Sequence, residues 1–153
     1  MARTPSQRGR LAKNRGSSFE LEIAKVLFDE LGIQFQRNLE QVRTAGLGDL
    51  ITSDPDFPFS LELKRRRSGV MIPTGAWMQS IEASDIDRGI YPAVIYRYDH
   101  RKPRAVVPFS AIAEMETGLR TKTIHDKADI SVPRFCKLVR EIMAWRAQTD
   151  EAH

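Results

Sequence analysis

Residues 53–58, Ser-Asp-Pro-Asp-Phe-Pro, are dense in turn formers. The stretch behind them alternates strictly, Phe59, Leu61 and Leu63 against Ser60, Glu62 and Lys64. Alternation with a period of two reads as a half-buried strand. Asp49–Thr52, ahead of the turn, reads as a second short strand, and the two predict an antiparallel hairpin. Pairing Thr52 with Phe59 sets Ile51 opposite Ser60 and Asp49 opposite Glu62. Opposed residues share a face, as do residues two apart on a strand. Asp49, Glu62 and Lys64 are therefore expected on one face, with Leu61 and Leu63 on the other. A fold must accommodate two facing carboxylates, which repel unless a cation lies between them.

The chain has 153 residues, 41% hydrophobic and 29% charged. That favours one domain with a real core. No apolar run approaches the roughly 20 residues that span a bilayer, so no membrane partner is expected. The basic N-terminus lacks the apolar stretch of a secretory signal. Cys136 is the single cysteine, which excludes an internal disulfide and a cysteine-based zinc site. A reducing, cytoplasmic setting fits.

The net charge is +4, from 24 basic and 20 acidic residues. Residues 1–18 hold Arg3, Arg8, Arg10, Lys13 and Arg15 and no acid, so the remainder is close to neutral. Basic charge is thus segregated into the N-terminal segment and local clusters, of which Lys64-Arg65-Arg66-Arg67 is the densest. Segregation of this kind points to a polyanion such as nucleic acid.

Residues 1–16 show no apolar periodicity and read as a flexible basic arm, followed by one domain over 17–150. A helix is expected from Ser17, where Ser17-Ser18-Phe19-Glu20 has capping-box form, to Leu31, with Gly32 as its stop. Phe19, Ile23, Leu27 and Leu31 make its apolar stripe. Further strands are expected at Ile33–Arg37, Ala93–Tyr98 and Arg104–Val107, and further helices at Thr74–Ser84, Pro108–Glu116 and Pro133–Gln148. The last presents Phe135, Leu138, Val139, Ile142 and Met143. The order α-β-β-β-α-β-β-α-α is a mixed α/β fold.

Glu20 lies about 100° around the first helix from Phe19, inside the apolar stripe. Unpaired burial of a carboxylate is costly. Glu20 either completes the capping box or serves a site.

A hard divalent ion such as Mg²⁺ takes one or two carboxylates and keeps positions for water and phosphate. Asp49 and Glu62 suit such an ion. Lys64 could orient or deprotonate an attacking water, or neutralise charge on a phosphate. Phosphodiester hydrolysis needs that set. His100, His125 and His153 lack metal-ligand spacing, and no glycine-rich phosphate loop or nucleophile elbow occurs.

Asp49 followed by Glu62-Leu63-Lys64, and preceded by Arg15-Gly16-Ser17-Ser18-Phe19-Glu20-Leu21-Glu22, resembles the PD-(D/E)XK nuclease superfamily over roughly residues 15–98. The pattern is most similar to archaeal-type and phage Holliday junction resolvases. The resemblance implies a restriction-endonuclease-like mixed sheet flanked by helices, αβββαβ with extra C-terminal helices. It implies Asp49, Glu62 and the Leu63 carbonyl as metal ligands, Lys64 as the catalytic lysine, and Glu20 completing the acidic site. Glu20 is preferred to Glu22 because it lies within the stripe and four residues after Gly16. Gln79, in the second helix, is a further candidate near the metal-bound water or the DNA. Pro55-Asp56 spells the "PD" of the superfamily name, but Asp56 falls in the turn, so Asp49 is preferred.

These readings combine into a Mg²⁺-dependent endonuclease (Mn²⁺ substituting) that cuts branched DNA, such as a four-way junction, as a homodimer. Arg15, Arg37, Lys64, Arg65, Arg66 and Arg67 are expected to meet phosphates. The alternatives are a nuclease for ends, flaps or duplex, and a non-cleaving DNA-binding module on the same fold.

Overall fold

The expected hairpin forms, and in the expected register. In the computed structural model, which describes residue 2 and residues 4–40 and 44–151 (side chains of 9–17 and 151 apart), β2 (Leu50–Ile51) runs antiparallel to β3 (Phe59–Arg66) with Leu50 facing Leu61. The paired register ends at Leu50; Asp49, just ahead of β2, donates its N–H to the Leu61 carbonyl.

Around this hairpin a six-stranded mixed sheet is built in the order β1-β2-β3-β4-β5-β6. β1 (Gln36–Arg37) pairs antiparallel with β2. β4 (Tyr91–Tyr98) runs parallel to β3, residue for residue from Phe59 beside Tyr91 to Arg66 beside Tyr98. β5 (Arg104–Pro108) and β6 (Lys127–Ser131) complete the sheet antiparallel. A parallel pair needs a crossover. Here it contains α2 (Ala76–Ala83) and a single 3₁₀ turn, Ile86–Arg88.

The two faces of the sheet are covered differently. Phe59, Leu61 and Leu63 join Ala93, Ile95, Ala105 and Val107 on one face. Against them pack Phe19, Ile23 and Leu27 of α1 (Pro5–Leu31) and Phe135, Leu138, Val139 and Ile142 of α4 (Val132–Glu151). Each such side chain contributes about 1.5–3 kcal/mol by leaving water. α3 (Phe109–Thr117) adds Ala111 to this core. On the other face Ala76 and Trp77 of α2 pack on Val94, Tyr96, Tyr98 and Val106. Trp77 donates its indole N–H to the His125 carbonyl at 3.2 Å, as a core residue would. The result is the restriction-endonuclease-like mixed α/β architecture.

The first helix departs from expectation. It starts at Pro5, not at Ser17, and takes in most of the segment read as an arm. Thr4 caps it: its hydroxyl accepts from Gln7 N–H, and Gln7 reaches back to the Thr4 N–H at 2.9 Å. This capping box, with Pro5 in the first turn, outcompetes Ser17-x-x-Glu20, which falls mid-helix. Glu20 is thus no capping residue. The helix stops at Gly32 in the left-handed region, as expected.

β6 was not expected. Lys-Ala-Asp-Ile-Ser is poor in strand formers, yet Ala128 and Ile130 alternate half-buried against Lys127 and Asp129. Pairing with β5 stabilises what propensity alone does not.

Candidate active site

Asp49 is held in place mainly by backbone. Its N–H donates to the Leu61 carbonyl at 2.6 Å, and its own carbonyl accepts from Asn38 N–H at 2.8 Å. Its carboxylate Oδ2 accepts the Leu63 N–H at 2.8 Å. This last bond ties the side chain to β3 one residue beyond Glu62. The approach depends on Gly48: a Cβ there would lie 2.1 Å from the Leu61 carbonyl oxygen. Asn38 Nδ2 fixes the Gly48 carbonyl at 2.9 Å. The glycine is required by close approach of two backbones.

Glu62 is 4% exposed. Its neighbour across the parallel pair is Val94, which α2 covers, so Glu62 points to the α2 face. Lys64 follows on the same face beside Tyr96, half-buried, and makes no hydrogen bond or ion pair among the described residues. Leu63 points its N–H toward β2, and the carbonyl of a strand residue faces the same side as its N–H. The Leu63 carbonyl therefore sits on the Asp49 side.

The remaining candidates are dispersed. Glu20 accepts from Arg37 Nε at 2.5 Å, an ion pair between α1 and the sheet edge. Arg37 lies beside Leu50, on the α1 face, and is engaged by that carboxylate. Glu22 pairs with Arg97 at 2.5 Å. Among the described residues no three His, Cys, Asp or Glu side chains gather closely enough to hold a metal ion. Asp49 Oδ2 reaches the β3 backbone at Leu63, between Glu62 and Lys64.

Gln79 is on the exposed flank of α2, while Ala76, Trp77 and Ser80 turn inward. Arg65 pairs with Asp99 at 3.4 Å, Arg66 donates to the Arg65 carbonyl, and Arg67 is exposed. The side chain of Arg15 lies outside the described residues. Asp56 is exposed in the turn, where its N–H bonds Asp54 Oδ1, at the hairpin end away from Lys64.

Sequence reasoning missed a second charged cluster. Glu114, 1% exposed, receives Arg146 through Nε at 2.9 Å and Nη2 at 3.0 Å and the Tyr91 hydroxyl at 2.6 Å. Arg146 also donates to the Gly89 carbonyl at 2.9 Å and lies over the Tyr91 ring. The donors and acceptors satisfy one another and join α3, α4 and β4, so the cluster reads as structural. Burial, then Glu114, pushes the Tyr91 pKa above its ordinary value, keeping the phenol protonated. Glu114 at an inward helix position was the available signal.

The Asp49 carboxylate, bonded to β3 one residue beyond Glu62, suits a hard divalent cation, which needs only one or two carboxylates. Among the described residues no helix is long and apolar enough to cross a membrane. No curated protein and no solved structure matches the chain. A family profile described as "Phage putative PDDEXK endonuclease" matches residues 11–151, nearly the whole length. The chain belongs to that family of PD-(D/E)XK nucleases.

Proposed function

We propose that the protein is a metal-dependent DNA endonuclease whose reacting centre is Asp49, Glu62 and Lys64. The observation that carries this reading is the Asp49 carboxylate bonded to the Leu63 N–H, between Glu62 and Lys64, which share one face of β3. Asp49, Glu62 and the Leu63 carbonyl would hold Mg²⁺, or Mn²⁺ in its place. When bound, the ion supplies charge stabilisation at the scissile phosphate and lowers the pKa of a bound water. Lys64 has no acidic partner among the described residues and would orient the attacking water or offset charge on the phosphate. Glu62 is buried from bulk water, which strengthens electrostatic interactions there.

The substrate preference we assign is branched DNA, cut by a homodimer. One domain offers one site, and resolving a four-way junction needs two matched cuts. The test is cleavage of a synthetic four-way junction and of a linear duplex of the same arms, with Mg²⁺, by the wild-type chain and Glu62→Ala. Paired symmetric nicks in the junction alone, lost in the variant, are the expected result. Cutting of both substrates would retain the nuclease and remove the branch preference. Wild-type rates in Glu62→Ala would overturn the site.

A further inference from the structure

We propose that a cavity of about 450 Å³ beside the β4–β5 turn is a phosphate subsite for the DNA strand flanking the cut. The inference rests on the nuclease reading above and extends it to substrate positioning.

The cavity walls are held by side-chain contacts. Tyr98 donates its hydroxyl to the Met71 carbonyl at 2.5 Å, pinning the segment before α2 against the sheet. Gly69 lies so close to the Tyr98 ring that a Cβ there would come within 2.3 Å of it. Tyr96 forms another wall, edge-on to Tyr98 with ring centroids 5.8 Å apart. Both rings are at most 9% exposed, so they shape the cavity and offer little face for base stacking.

Its charge is positive. Arg101, Lys102 and Arg104 line it with a single acid, Asp129. Asp129 is already engaged: Arg104 Nε donates to it at 2.8 Å, and so does the Tyr96 hydroxyl. Arg101 and Lys102 are exposed and have no side-chain hydrogen bond or ion pair among the described residues. Two cations over a cavity whose one carboxylate is neutralised fit an anion.

Position connects the cavity to the reacting centre. Lys64, Tyr96 and Arg104 are consecutive cross-strand neighbours on β3, β4 and β5. Strands lie about 4.8 Å apart, so Arg104 is on the order of 10 Å from Lys64. A DNA strand carries one phosphate per roughly 3.4 Å of helix axis. The cavity therefore meets the backbone on the order of two or three nucleotides from the cut. β3 ends at this same rim with Arg66, and Arg67 follows it. Phosphate contacts fix register and carry no sequence information, so binding here is the same for all sequences.

The test uses the full chain and compares Arg101→Ala/Lys102→Ala with Arg134→Ala/Lys137→Ala. The second pair removes equal charge from exposed positions of α4. DNA affinity is measured by fluorescence anisotropy on a four-way junction and a duplex between 50 and 200 mM salt, and cleavage is measured at saturating DNA. The expected result is that the first variant alone binds at least tenfold more weakly, its salt slope smaller by about 2, with its saturated rate unchanged. Equal weakening in both variants, or none in either, would overturn the subsite. If the wild-type chain cuts no DNA while the first variant alone loses binding, the subsite stands and the cleavage reading falls.

Discussion

The backbone N–H of Leu63 donates to Oδ2 of Asp49 at 2.8 Å. The strand that carries Glu62 thereby also orients the Asp49 carboxylate. One strand positions the acidic pair and Lys64.

That bond separates structure from chemistry. Asp49→Asn keeps an oxygen acceptor for Leu63 N–H and loses the charge. The expected outcome is unfolding stability within about 1 kcal/mol of wild type and DNA cleavage lower by at least about 100-fold. Glu20→Gln, which removes only the pair with Arg37, is expected to retain most activity. Single-turnover cleavage and urea denaturation of both variants check this.

Gly48→Ala is expected to disturb the site through the backbone. A methyl group 2.1 Å from the Leu61 carbonyl oxygen forces β2 from β3. The cost should be about 1–3 kcal/mol, as for overpacking elsewhere, with cleavage falling as Asp49 shifts. A denaturation midpoint equal to wild type would refute the contact.

The Glu114–Arg146 pair should matter for stability alone. Arg146→Ala leaves a buried carboxylate without its cation, which costs about 3–5 kcal/mol. Tyr91→Phe removes one hydrogen bond to the same carboxylate and should cost about 1–3 kcal/mol. Thermal unfolding gives the order, with Arg146→Ala the less stable. Cleavage by the Tyr91→Phe protein should match wild type.

Burial pushes the Cys136 thiol up from 9.0 to about 11, with Glu30 adding to the shift. The folded state holds this proton more tightly than the unfolded chain. The resulting stability is complete below pH 9 and is lost as pH rises through 11. Wild type minus Cys136→Ala, compared by urea midpoint from pH 7 to 11, should show a difference that narrows only above pH 9. Tyr91 and Tyr96 are also shifted upward but are common to both proteins and cancel.

The parts of this fold readable in advance were those written by local pattern. The β2–β3 register followed from a strict alternation beside a six-residue turn, and the apolar face of α4 from its period. Asp49 opposite Glu62 was the expectation from that register; in the structure the Asp49 N–H bonds the Leu61 carbonyl instead. Competition between local signals was less legible: two capping boxes lie on one helix, and Thr4 with Gln7 wins because nothing after Pro5 stops the helix. β6 escaped because its strand character comes from β5, not from its own residues. The cavity lined by Arg101 and Lys102 was not legible because it exists only once β4 and β5 are paired.

The parallel pairing of β3 with β4 has a consequence for when the molecule becomes competent. Arg66 and Tyr98 are neighbours in space and 32 positions apart along the chain. A growing or truncated chain can complete the strand bearing Glu62 and Lys64, yet the wall supplied by Tyr96 and Tyr98 waits for the crossover to close. Closing such a span costs entropy that only long-range contacts repay. An unfinished chain therefore carries Glu62 and Lys64 without the β4 wall that flanks them in the complete sheet.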